Sequence, residues 1–210
     1  MYSKETIDKL NKDIRENFPL ISYIGEEDVT THENVSRLVM LDRYAQKDRE
    51  LKTLGKGDIV LTQVKHDPTF PVLGIGEVLE VKENSVVILL EEAYRGTLEG
   101  EELETGIIER PKGQTEKPLE LFYEQIARRV GTNLSEVENE DNQLEVGREF
   151  IKELTDLNLV PAGRVLFGAG SGTEVTYFNC YLQPFVEDSR EGISHHRAEV
   201  MEIMSRGGKQ

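Results

Sequence analysis

The segment VTYFNCYLQPFVEDSREG, residues 175–192, holds the only cysteine of the chain, Cys180. As a thiolate, a cysteine attacks electrophiles, exchanges with disulfides or ligates a metal. One cysteine excludes an internal disulfide and an all-cysteine zinc site within these residues. Redox chemistry at Cys180 therefore needs a second thiol from elsewhere. The plainer reading of the residue is a small buried hydrophobe, since free cysteine is often buried and inert. Asp188 and Ser189 follow, an acid and a hydroxyl suited to opening a helix, with Glu191 early in its first turn.

The other reactive types are less promising. His195 and His196 are neighbours, and on a helix adjacent side chains point about 100° apart, so both cannot face one metal. Capping or surface polar roles suit them better, and His32 and His66 have no partner at ligand spacing. GRVLFGAGSG, residues 163–172, has glycines through which backbone N–H groups can approach an anion. It lacks a Gly-Lys-Ser/Thr ending, and its Gly168, Gly170 and Gly172 lack the strand, helix and later acid of a dinucleotide unit. Its spacing therefore describes a turn. LGIGEV, residues 73–78, describes close strand packing rather than a ligand loop.

The elements that would carry these residues are readable from period and punctuation. Ile7, Leu10 and Ile14 give residues 3–17 an amphipathic helix, opened near Ser3 and ended by Pro19. Val35, Leu38, Val39, Leu41 and Tyr44 predict a second helix within residues 31–48, with Thr31 and Glu33 as capping and first-turn residues. Valine- and isoleucine-rich residues 57–97 predict three or four short strands in a small barrel or curled sheet. EGEELETG, residues 99–106, reads as a surface turn, and GIIERPKGQTEKP, residues 106–118, as aperiodic connection. Helices follow at residues 118–130, with Leu119, Phe122, Ile126 and Val130 on one face, and at 140–160, where Gly147 weakens the middle. A short strand at 175–184 and a last helix from about Asp188, with Ile193, Val200, Ile203 and Met204 inward, complete the pattern. The fold class is α+β. The expected division is a helical region 1–45, a small β-barrel-like region 46–110, a linker 111–117 and a unit 118–210.

Length and composition narrow the function classes. A chain of 210 residues suits one large or two small domains, and 37% hydrophobic with 31% charged residues suits a folded protein with a broad solvated surface. Forty acids against twenty-five bases give a formal charge of −15. That field repels phosphates, so no general affinity for nucleic acid or anionic membrane is expected, and a phosphate ligand needs a local site. No apolar run approaches the roughly 18 residues of a membrane span, the first residues lack a secretion signal, and a cytoplasmic location is expected.

PAGRVLFGAG, TYFNCYLQPF, DSREGIS and EIMSRGG, in this order, resemble the amino-terminal portion of an adenosylcobalamin-dependent (class II) ribonucleotide reductase. SRLVMLDRY, DPTFPVLGIG, YRGT, ETGIIERP and KPLELFYEQIA resemble a bacterial branch of these enzymes with an extra amino-terminal region. The likeness thus spans nearly the whole chain and is most specific from Pro161 to Gly208. It implies that 118–210 is a helical domain leading into the first strand of a ten-stranded α/β barrel, here truncated.

The resemblance also implies roles. Cys180 matches one of two substrate-facing cysteines that together deliver two electrons, closing to a disulfide as the ribose 2′-hydroxyl leaves as water. A thioredoxin-type reductant would reopen it. Asn179 matches a position lining the substrate ribose, and Arg164 to Ala169, including Gly168, match the loop near the substrate's base and phosphates. Asp188, Ser189 and Ile193 fall where a deoxynucleoside triphosphate effector binds at a dimer interface, which implies a homodimer. The N-cap reading of Asp188 or Ser189 stands beside this one.

The family pattern continues past Gly-Gly into the barrel, whereas here Gly207 and Gly208 are followed by Lys209 and Gln210. The radical-carrying cysteine, the second reducing cysteine and most cobalamin contacts would lie beyond. By itself the chain is therefore expected to be inactive and to hold no adenosylcobalamin, and a missing catalytic part or separate chain is its expected partner. The alternative is a non-catalytic effector-binding or assembly module that works with another reductase chain.

Overall fold

The computed structural model describes residues 2–29, 34–65, 67, 69–178 and 180–207. Helix α1, Lys4–Asn17, is the expected amphipathic helix. The Ser3 hydroxyl accepts from the Thr6 N–H at 3.0 Å, and Leu10 and Ile14 are buried. Helix α2, Asn34–Val39, passes directly into a π-turn at Met40–Tyr44. Its wider turn is closed by the Ala45 N–H donating to the Met40 carbonyl at 3.0 Å. The π-turn shifts the apolar face: Met40 and Leu41 are buried, while Val35 and Val39, expected inward, are 71% and 40% exposed. Thr31 and Glu33 lie outside the described residues.

Six antiparallel strands form one sheet: β1 Lys47–Asp48, β2 Ile59–Lys65, β3 Val72–Val81, β4 Ser85–Leu90, β5 Ile107–Pro111 and β6 Thr115–Pro118. Their order is β1-β6-β2-β3-β4-β5. The last strand of the meander thus returns beside its first. The Arg110 guanidinium on β5 donates to the carbonyls of Gln63 and Val64 on β2, at 3.0 and 2.9 Å, and is held in place by Glu102. Val60, Val78, Val86, Ile88 and Ile108 pack inside the curl, whereas Leu61 and Ile75 face the helices and join Leu10, Ile14, Ile126 and Val130 in a second core.

Residues 111–117, expected as a linker, instead hold a 3-10 turn at Lys112–Gln114 and most of β6. The reason is chemical: β6 turns Thr115 and Lys117 inward and Glu116 outward, so two of its three buried positions are polar and hydropathy cannot mark them. EGEELETG is likewise helical, forming α3, Gly100–Thr105, on the surface.

LGIGEV lies in β3, as its spacing predicts. A Cβ on Gly76 would sit 2.5 Å from Ile88 Cγ2 and 2.7 Å from the Leu89 carbonyl oxygen. Gly76→Ala is expected to destabilise the chain by about 1–3 kcal/mol through overpacking, read as a lower urea midpoint at unchanged slope.

Helix α4, Tyr123–Ser135, starts later than expected because Pro118 ends β6 rather than opening the helix. The Gln125 side chain organises the approach: its Oε1 accepts from the Leu121 and Phe122 N–H groups at 2.8 and 3.1 Å. Helix α5, Glu140–Thr155, crosses α4 with Gly147 buried against Ser135, so the glycine that weakens the helix permits the contact. Helix α6 spans Gly163–Gly168 and α7 spans Arg190–Gly207.

Two expectations for the last third fail. The described residues between 174 and 187 form no strand, because an extended segment without a neighbouring strand has no ladder to join. Ile193 and Met204, expected inward on the last helix, are 42% and 68% exposed. Val200 and Ile203 on the same helix are half-buried.

Candidate functional site

The stretch expected as a plain turn, GRVLFGAG, is a short helix anchored from below. Leu166 and Ala169 are buried. The last carbonyls of so short a helix need donors, and Arg129 of α4 supplies them. Its Nη1 donates to the Ala169 carbonyl at 2.5 Å and its Nη2 to the Leu166 carbonyl at 3.0 Å. The Gln46 amide donates to the Phe167 carbonyl at 2.7 Å. Arg129 is itself paired with the fully buried Glu120, Nε to Oε1 at 2.7 Å and Nη2 to Oε2 at 3.0 Å. The same carboxylate accepts from the Gln46 N–H at 2.8 Å. One buried ion pair therefore joins the chain after β6, helix α4, the residue before β1 and helix α6.

The chain leaves α6 under close constraint. Gly170 has φ +69°, and a Cβ there would lie 2.8 Å from Arg129 Cγ. At Gly168 a Cβ would fall 2.2 Å from Val175 Cγ2, so α6 and the segment leading to Cys180 are in contact. The Arg164 guanidinium adds a second tie, donating to the Phe178 carbonyl at 2.9 Å.

Arg164 and Phe167 face a cleft of about 940 Å³ whose other walls are the 42–49 segment and the turn between β5 and β6. Five cations line it, Arg43, Lys47, Arg49, Lys112 and Arg164, against two carboxylates, Asp42 and Glu116. Lys47 pairs with both carboxylates, and Arg43 with Asp42 at 2.9 Å. Among the described residues neither Arg49 nor Lys112 forms an ion pair. Such an arrangement can bind an anion.

The structure brings some predicted residues together and separates others. Arg164 lies on the cleft, while Gly168 and Ala169 are buried behind it. Cys180 is a free, exposed thiol rather than a buried hydrophobe, and Asn179 lies outside the described residues. The Ser189 hydroxyl accepts from the Gly192 N–H at 2.9 Å. That makes Ser189 the N-cap of α7 and leaves the Asp188 carboxylate exposed just before it. His195 pairs with Glu199 one turn on, at 3.2 Å, a surface role as expected. His32 and His66 lie outside the described residues.

Sequence reasoning missed Arg49, Lys112 and the cleft. In DRYAQKDR, residues 42–49, two acids offset two of the three bases and leave a local charge of only +1, and Lys112 sat in the presumed linker.

No family model, curated protein or solved structure matches the chain. No helix among the described residues is long and apolar enough to cross a membrane.

Proposed function

We propose that the chain is the amino-terminal segment of an adenosylcobalamin-dependent ribonucleotide reductase, with Cys180 as one of its two reducing thiols. One observation carries the reading beyond the motifs: the Arg164 guanidinium bonds the Phe178 carbonyl at 2.9 Å, so the loop expected at the substrate and the segment bearing the thiol form one unit. The exposure of Cys180 fits a thiol that must meet substrate, a partner thiol and a thioredoxin-type reductant. In the reaction two thiols give up two electrons and two protons, the 2′-hydroxyl leaves as water and a disulfide closes. Cys180 supplies half of this, and a Cα separation of about 5.5 Å to its partner would be required.

In this reading residues 175–184 become the first strand of the catalytic barrel when a neighbouring strand is supplied. The curled sheet of β2 to β6 is a small barrel, latched by Arg110. Adenosylcobalamin supplies the radical initiation in such enzymes, and no residue of this chain is assigned to hold it.

The test is a graft. Residues 161–207 replace the matching stretch of an adenosylcobalamin-dependent reductase. The chimera is expected to form deoxyribonucleotides, and Cys180→Ser in the graft to abolish turnover. A chimera with native circular dichroism and no activity would sink the reading.

The exposed Asp188 favours a second reading, a deoxynucleoside triphosphate effector or assembly module. Calorimetry with the four deoxynucleoside triphosphates should then show one that binds and is lost on Asp188→Ala. Silence with all four rejects it.

A further inference from the structure

We propose that the cleft between the 42–49 segment, the β5–β6 turn and α6 is a site for the phosphate groups of a nucleotide or a free polyphosphate. The charge balance points to it. The chain carries −15 overall, yet this one concavity gathers five cations, and its two carboxylates are already occupied by Lys47 and Arg43. Arg49 and Lys112 enter it from separate elements with no ion pair of their own among the described residues. Like charges brought together without counter-charges repel, and a multivalent anion relieves that repulsion while satisfying their donors. Guanidinium groups match phosphate oxygens in forked geometry, with an ammonium as the adjoining point charge.

Size and rigidity agree. The cleft's volume of about 940 Å³ suits a small organic ligand. Its floor is held by Gln46 bonded to the Phe167 carbonyl, so the wall bearing Arg164 and Phe167 is positioned without a ligand. Tyr44 and Phe167 also line it, giving ring faces on which a base can stack. The acidic field elsewhere would keep polyanions off the remaining surface and concentrate selectivity here.

Arg164 and Phe167 belong to the loop that the reductase reading places near the substrate's base and phosphates, but Arg49 and Lys112 lie outside every motif that carries the resemblance, so their variants test the cleft separately from that reading. The experiment is titration calorimetry of the whole chain with ATP, sodium tripolyphosphate and adenosine at low and high salt. Wild type is expected to bind ATP or tripolyphosphate, more weakly as salt rises, and not adenosine. Arg49→Ala/Lys112→Ala should weaken binding by roughly tenfold or more, whereas Lys152→Ala, at an exposed cation of α5 outside the cleft, should leave it unchanged. ATP binding more tightly than tripolyphosphate would assign the rings to a base, and equal affinities would confine recognition to the phosphates. Thermal unfolding checks that the double variant folds, and Arg49→Glu alone, at an exposed position, repeats the test should it not. Absence of heat with both phosphates, affinity unchanged by the cleft variants, or affinity lost with Lys152→Ala would each overturn the proposal.

Discussion

Arg129→Met should lower the unfolding free energy by about 3–5 kcal/mol, because it strands Glu120, a fully buried carboxylate, without its counter-charge. Glu120 would retain only the Gln46 N–H as donor, and the Ala169 and Leu166 carbonyls would lose theirs. The effect should therefore be local as well as global. Limited chymotrypsin digestion should cut the variant near Phe167 and Tyr177 under conditions where the native chain resists. Glu120→Gln in the same chain removes the uncompensated charge and should recover part of the loss. A double-mutant cycle thus isolates the pair from the carbonyl contacts. Loss below about 1 kcal/mol, the range of an exposed pair, would mean that water reaches Glu120 and that α6 is held by its apolar residues alone.

That network shows why sequence reading stopped short of the site. The apolar elements were open to it: Leu10 and Ile14 on α1, Ile126 and Val130 on α4, and the valine-rich strands all lie where their period places them. Repetition on one face advertises burial. Arg129 and Glu120 advertise nothing, since each is a common surface residue type and they meet across a helix start that no local pattern specifies. The same blindness hid β6, whose inward residues are Thr115 and Lys117. The register of α2 was lost for another reason, because a π-turn inserted after Val39 moves the burial from Val39 to Met40. In the last third the periodicity is present, but Ile193 and Met204 stay exposed while Val200 and Ile203 are only half-buried. Patterning reports what a segment can bury, and only a packed neighbour turns that capacity into structure.

Lys117→Met carries the other large penalty, again about 3–5 kcal/mol. The ammonium is 1% exposed and donates among four acceptors: Asp13 at 2.7 Å on α1, Asp58 at 2.9 Å before β2, and the Thr53 carbonyl and hydroxyl, each at 2.9 Å. A lysine has three protons to give, so every donor is used and the charge is neutralised on two sides. Removing it leaves Asp58, which is 4% exposed, with Lys9 and the Gly55 N–H as remaining partners. Lys9→Met is the informative contrast. Its stem is partly exposed, but its ammonium is buried and reaches the same carboxylate at 2.5 Å, so contact distance alone would rank the two alike. The two differ in their partners: Lys117 serves two carboxylates and both Thr53 oxygens, Lys9 one carboxylate, so Lys117→Met should cost clearly more than Lys9→Met in urea unfolding. Lys117→Arg should not rescue, because a planar fork cannot reproduce three tetrahedral donors in a closed site. Because Lys117 ties β6 to α1 through Asp13, hydrogen exchange in Lys117→Met should accelerate first in α1. Equal losses for Lys9→Met and Lys117→Met would show that Asp58, rather than the ammonium, is the group on which the junction depends.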